Sequence, residues 1–205
     1  MHYISNSFFA SETPTGHKCN EVFAERKLKF LSGKILDVGC GWGRFLQFCG
    51  KDAIGIDANS KAVEICKAHR LNVVQMHAED IKFDSEYFDA VHCESILEHL
   101  DDVEKAMNEI HRVMKKNGKL YLTVNAIENR KWRVWEDYTH KRFFSKKSAL
   151  CLLQDSGFKI IKTGWLLQIP FGFGKLYRFK KVFIVLCCLY GFLKKRQVEI
   201  FAQKI

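Results

Sequence analysis

The residues best placed to do chemistry sit in two short stretches. "ILDVGCGWG", Ile35 to Gly43, ends a β-prone run on an acid, Asp37, and follows it with Gly39, Gly41 and Gly43. "IGID", Ile54 to Asp57, ends a second such run on another acid. Glycines directly after a strand remove side chains and allow positive φ, so a ligand can approach the backbone. A carboxylate at Asp57 accepts more than one hydrogen bond, which suits the paired hydroxyls of a ribose. The chemistry implied is the holding of a nucleotide-like ligand.

A dinucleotide site wants G-x-G-x-x-G with a pyrophosphate at the helix start. Here the third glycine comes one residue early, and Asp37 stands just before the loop, where it would meet a cationic group. Both departures favour S-adenosylmethionine, which carries an ammonium and a sulfonium. A further set of reactive types lies in "NRKWRVWEDYTHKRFF", Asn129 to Phe144. Aromatic residues in a loop after a strand often close over a substrate. His140 is the first candidate general base, because imidazole titrates near working pH, and Tyr138 the second. The bland reading is a structural loop with a basic surface. His92 and His99 flank Cys93 and Glu94, but neighbours on a strand point to opposite faces, so no metal site is expected.

These residues need elements to position them. "HKCNEVFAERKLKFL" reads as a short helix. Strands are predicted at "KILDV", "DAIGID", "NVVQM", "YFDAVHC", "KLYLTV" and "FKIIKTGWL", with a short last strand at "VEIFAQ". Helices fall between them at "GRFLQFC", at "SKAVEICKAHR" with Ser60 as cap, and at "KKSALCLLQDS" with Ser145 as cap. The clearest helix starts at Asp101 and Asp102. It presents Val103, Ala106, Met107, Ile110, Val113 and Met114 on one face, carries Lys115 and Lys116 at its end, and stops at Asn117–Gly118. Alternating strands and helices imply an α/β, Rossmann-like doubly wound sheet, mostly parallel with an antiparallel last strand and helices on both faces. Ligands of such sheets bind at the C-terminal ends of the strands, near the switch in strand order.

With these stretches in this order, the chain resembles the class I S-adenosylmethionine-dependent methyltransferases, of the small ubiquinone/menaquinone-biosynthesis-like type. The resemblance rests on "ILDVGCGWGRFL", "IGID", "VVQMHAEDIKF", "FDAVHCESILEHLDDVEKAMNEIHRVMKKNGKLYLTV" and "LLQDSGFKII", and covers roughly residues 34–163. It implies that Asp37, Gly39 and Gly41 contact the methionine end of the cofactor, and that Asp57 takes the ribose hydroxyls with Ala58 beside the adenine. It also implies that His77 and Ala78 pack on and hydrogen-bond the adenine, and that Glu94 lines the methyl-transfer side. His77 departs from the family's usual acid or amide, so Glu79 and Asp80 stay open as alternatives. "GCGWG" is also similar to cyclopropane fatty acid synthases, which use the same cofactor on lipid chains. The function implied is methyl transfer to a small-molecule acceptor, with lipid- and glycan-linked acceptors both open. RNA methylation through the basic half, and cofactor binding without catalysis, are the alternatives. Adenine amino-methylases of this fold carry an Asn/Asp-Pro-Pro-aromatic motif after strand four, and "CESILEHL" has no proline.

The remaining composition bounds these readings. At 205 residues and 47% hydrophobic, the chain suits one domain: a cap segment at 1–33 and a methyltransferase domain at 34–205 with an insert at 165–197. Residues 1–110 carry 12 basic and 18 acidic side chains, net −6; the rest carry 21 and 5, net +16, which together give the total of +10. Such a basic half suits an anionic partner, nucleic acid and membrane included. Eight cysteines without a C-x-x-C spacing fit free thiols in a reducing, cytoplasmic setting. The N-terminus lacks the pattern of a signal peptide. The apolar run Val182–Leu193 is twelve residues long, too short for a bilayer that needs about 20. Basic residues bracket it, which suits an anionic membrane surface met through residues 178–196; packing on the domain or in a dimer is the plainer reading.

Overall fold

The computed structural model describes residues 14–128, 137–166, 178–194 and 197–205. Seven strands form one sheet: β1 (Ile35–Val38), β2 (Ile54–Asp57), β3 (Val73–Gln75), β4 (Phe88–Glu94), β5 (Met114–Asn125), β6 (Phe158–Trp165) and β7 (Gln197–Lys204). Their order is β3-β2-β1-β4-β5-β7-β6. The first five pair in parallel, and β7 runs antiparallel between β5 and β6. The strand order therefore reverses between β1 and β4, and the glycine stretch opens at that point.

Among the described residues five helices flank the sheet: α1 (Pro14–Leu28), α2 (Ser60–Ala68), α3 (Val103–Val113), α4 (Lys146–Asp155) and α5 (Lys180–Lys194). α3 buries Val103, Ala106, Met107, Ile110 and Val113 against the face formed by Leu36, Val91, Leu120 and Ile200. On the other face, Ala24 and Leu31 pack with Ile35, Ala90, Tyr121 and Phe201. Ser145 caps α4 through a capping box with Ser148, as its sequence suggests.

Several local expectations change. The predicted helix "GRFLQFC" is only a 3₁₀ turn at Leu46–Phe48. Few residues separate Gly43 from Gly50, and a helix nucleus that short is not sustained. Asn59, not Ser60, caps α2 by accepting from Lys61 N. α3 ends one turn early, because Met114 is extended and opens β5. Lys115 thus leaves the helix and pairs with Asp89 at 2.8 Å, while Asn117 takes a positive φ of 63°. The insert between β6 and β7 contains α5. One side of this helix is covered: Phe183 and Cys187 are buried with Cys19 and Val22 of α1, and Phe183 stacks on Phe23. No helix among the described residues is long and apolar enough to cross a membrane.

Candidate functional site

The glycine stretch leaves β1 with its backbone tied to β2. Gly39 N and Cys40 N both donate to Ile56 O, at 2.8 and 3.0 Å. Gly39 has φ +69°, and a Cβ there would press on Ile96 at 2.9 Å, so this position admits only glycine. Gly41 has φ +51°, but a Cβ there would meet nothing within 4 Å. Its backbone therefore borders open space on the ligand side. Asp57 reaches across from the end of β2: Oδ2 accepts from Gly41 N at 2.8 Å and Oδ1 from Asn59 N at 2.8 Å. The carboxylate braces the loop and keeps acceptor capacity for a diol, since an ionised carboxylate has about four acceptor sites. Beyond it Ala58 and His77 are exposed on neighbouring strand ends, whereas Ala78 is buried in the core. Asp80 is an exposed partner of Lys82.

Beneath the loop lies a buried network that sequence reasoning did not find. Asp37 and His92 are register partners on β1 and β4, as are His92 and Tyr121 on β4 and β5. Aligned partners on parallel strands point to one face, so the three side chains form a row. Asp37 Oδ1 lies 2.7 Å from His92 Nδ1. A carboxylate only accepts, which places the ring proton on Nδ1. His92 Nε2 is 3.2 Å from both Lys27 Nζ, arriving from α1, and Glu94 Oε2. Lys27 also pairs directly with Glu94 and lies over the Tyr121 ring. Phe45 stacks on His92 with centroids 3.8 Å apart. Burial alone would raise the Glu94 carboxyl; the Lys27 ammonium and the His92 hydrogen bond outweigh it and hold the group well below the ordinary carboxylate range.

The sequence suggested that Asp37 meets the ligand's cationic end. At 2% exposure the residue offers almost no surface to a ligand, and its partner is His92. Glu94 ends β4, with its side chain 34% exposed. The residue after it, Ser95, holds φ +54° while its N–H donates to Thr123, a strained non-glycine backbone of the kind found at functional sites.

The third component lies over the ends of β4 and β5. Glu98, in the 3₁₀ turn Leu97–His99, accepts at Oε1 from Asn125 Nδ2 at 2.6 Å. Its carbonyl accepts from Lys141 N and Arg142 N, which fastens the segment after residue 136 to the turn. His140 thereby reaches the site: its side chain is buried, its ring centroid is 4.9 Å from His99, and Nε2 lies 3.6 Å from Asp137 Oδ2. Tyr138 does not join it. It is 87% exposed and points to water, so its candidacy as a base falls away. Trp132, Trp135 and Glu136 of the same loop lie outside the described residues.

A methyltransferase domain model matches residues 36–122. The ubiquinone biosynthesis O-methyltransferase of Pelagibacter ubique is 31% identical over 163 residues, 64% of this chain and 68% of that protein. The chain belongs to the class I S-adenosylmethionine-dependent methyltransferases. An uncharacterized protein of Methanocaldococcus jannaschii is 28% identical over 157 residues, 70% of this chain and 76% of its own. A crystal structure from Thermotoga maritima, a methyltransferase described as possibly acting on histamine nitrogen, superposes with a TM-score of 0.71 over 99% of this chain and 96% of its own. At 21% identity it speaks for the fold. The methyltransferase uses S-adenosylmethionine as its cofactor. The residues present fit it: Gly41 borders open space beside the switch in strand order, and Asp57 offers carboxylate acceptors at the next strand end.

Proposed function

We propose that this methyltransferase acts on a small-molecule acceptor at an anionic lipid surface, the acceptor being lipid-linked. The carrying observation is α5. Phe179, just before it, and Val182, Val185 and Leu189 within it are 66%, 54%, 55% and 56% exposed, opposite the face that packs on α1. Their spacing of three, three and four residues keeps them on one side of the helix. Arg178 and Lys181 are exposed beside them, and Lys180 is held by Glu25 at 2.8 Å. Contiguous apolar side chains left in water are a liability unless something covers them. Lipid acyl chains cover the apolar side while each basic residue near an anionic headgroup layer contributes about 1 kcal/mol.

Within the site, Gly39 and Gly41 bring backbone to the methionine end of the cofactor. Asp57 binds the ribose hydroxyls, and Ala58 and His77 flank the adenine. S-adenosylmethionine supplies a methyl group on a positively charged sulfur. Glu94, kept ionised by Lys27, faces that charge from the rim. Placing the acceptor atom about 3 Å from the methyl carbon supplies much of the rate in such a displacement. His140, oriented by Asp137, handles the proton of an acceptor hydroxyl.

Sedimentation with phosphatidylglycerol-rich liposomes tests the surface reading. Binding at low salt, partial release at high salt, and loss on replacing Val182, Val185 and Leu189 by serine are expected, with S-adenosylmethionine affinity unchanged. Absence of liposome binding at low salt, or retention of tRNA in its place, would overturn it.

A further inference from the structure

The geometry points to a divalent transition-metal site formed by Glu98, His99 and His140. One ligand atom from each residue falls in a group whose members all lie within 4.8 Å of one another. Donors about 2.1 Å from one ion stand roughly 3–4 Å apart, so small side-chain rotations close the set. Sequence spacing does not suggest it: His99 and His140 stand 41 positions apart, and the backbone clasp of Lys141 and Arg142 on Glu98, with the Thr139–His99 contact, brings the two rings together.

A second observation independently asks for a cation. Glu98 is 1% exposed, and its Oε2 is buried without a hydrogen-bond partner among the described residues. A buried carboxylate oxygen left this way is costly, and burial pushes the Glu98 carboxyl up. Protonation would relieve the cost by removing the charge; a metal ion would relieve it by using the charge. The rings favour the metal. His99 Nδ1 lies 3.0 Å from Thr139 Oγ1, and His140 Nε2 faces the Asp137 carboxylate. Metal-bound imidazoles are commonly fixed in this way through the ring nitrogen not used for ligation.

Two imidazoles and one carboxylate suit zinc, iron(II) and cobalt(II) better than magnesium or calcium, which prefer all-oxygen sites. No cysteine belongs to the set. Resting on the reading of this side as the acceptor side, the ion would take the acceptor's oxygen in a remaining coordination position and lower the pKa of its hydroxyl. His140 would then act on that proton through the metal it holds.

The test uses the full chain, stripped with chelator and loaded with Zn²⁺ or Co²⁺. The eight free cysteines are a second source of metal uptake, so the reading is a difference: Glu98→Gln keeps every cysteine and should lose one metal equivalent per chain. Asp137→Asn should weaken metal binding about 10–100-fold. Thermal melts separate a site from a structural carboxyl. Without metal, Glu98→Gln should be at least as stable as the wild type, since it removes a buried charge; with Zn²⁺ only the wild type should gain stability. Equal metal content and equal Zn²⁺ response in both proteins would overturn the proposal. Titration with S-adenosylmethionine is run in parallel. Normal cofactor binding without a metal difference would end the metal site alone. A metal difference without cofactor binding would instead strike at the methyltransferase reading of this site.

Discussion

Lys27→Met isolates the buried network from the rest of the site. Methionine keeps the apolar stem of Lys27 and removes the ammonium that faces Glu94, His92 and the Tyr121 ring. Removing one partner of a buried pair costs about 3–5 kcal/mol, because the other charge is left behind. Glu94 is 34% exposed and partly rehydrates, so screening lowers the expected loss to about 2–3 kcal/mol. Urea denaturation near neutral pH reads this directly. Glu94→Gln on top of Lys27→Met should recover part of the loss, giving a coupling above about 1 kcal/mol in a double-mutant cycle. The pH dependence follows from the direction of the Glu94 shift. Its folded pKa is depressed, so its contribution is complete above the unfolded value of about 4.3 and is lost as pH falls through the lower folded value. The gap between wild type and Lys27→Met should therefore persist at neutral pH and narrow in acid. A loss within about 0.5 kcal/mol, the level of an ordinary surface substitution, would refute the network as a stabilising unit.

Two further changes address the ligand side. Asp57→Ala should weaken S-adenosylmethionine binding by about 1.5–3 kcal/mol, the worth of hydrogen bonds to a charged group; unchanged affinity by calorimetry in a folded variant would remove Asp57 from the site. His140→Ala should lower kcat by about 10²–10⁴ for a hydroxyl acceptor while cofactor affinity holds; normal turnover would return His140 to a structural role.

The sheet and the cofactor loop were legible because their signals are local. "ILDVGCGWG" and "IGID" each carry a strand, its end and its acid within a few residues, and the structure joins them through the Asp57–Gly41 bond. The 3.6-residue period of α3 marked its buried face, and only its last turn was misplaced, where Met114 turns extended to pair with Phe88. Long-range partnerships were not legible. Nothing near Asp37 in sequence announces His92, because their contact depends on β1 and β4 being adjacent and in that register. Tyr138 and His140 stand two apart, yet one lies in water and the other against His99.

α1 is the sharpest case of a segment whose sequence conceals its role. It reads simply as a short helix, ahead of the residues 34–163 that carry the resemblance. Its value lies in individual side chains that reach different neighbours. Arg26 pairs with Glu199 of β7 at 2.5 Å, Lys27 enters the network under the cofactor loop, and Cys19 and Val22 bury one face of α5. Periodicity sees apolar stripes, and here the helix is held at one end by charge and at the other by α5. Without Lys27, Asp37 and Glu94 would bring two carboxylates to the single imidazole of His92. A segment placed outside the core by sequence therefore supplies the cation that pairs with Glu94 and borders His92.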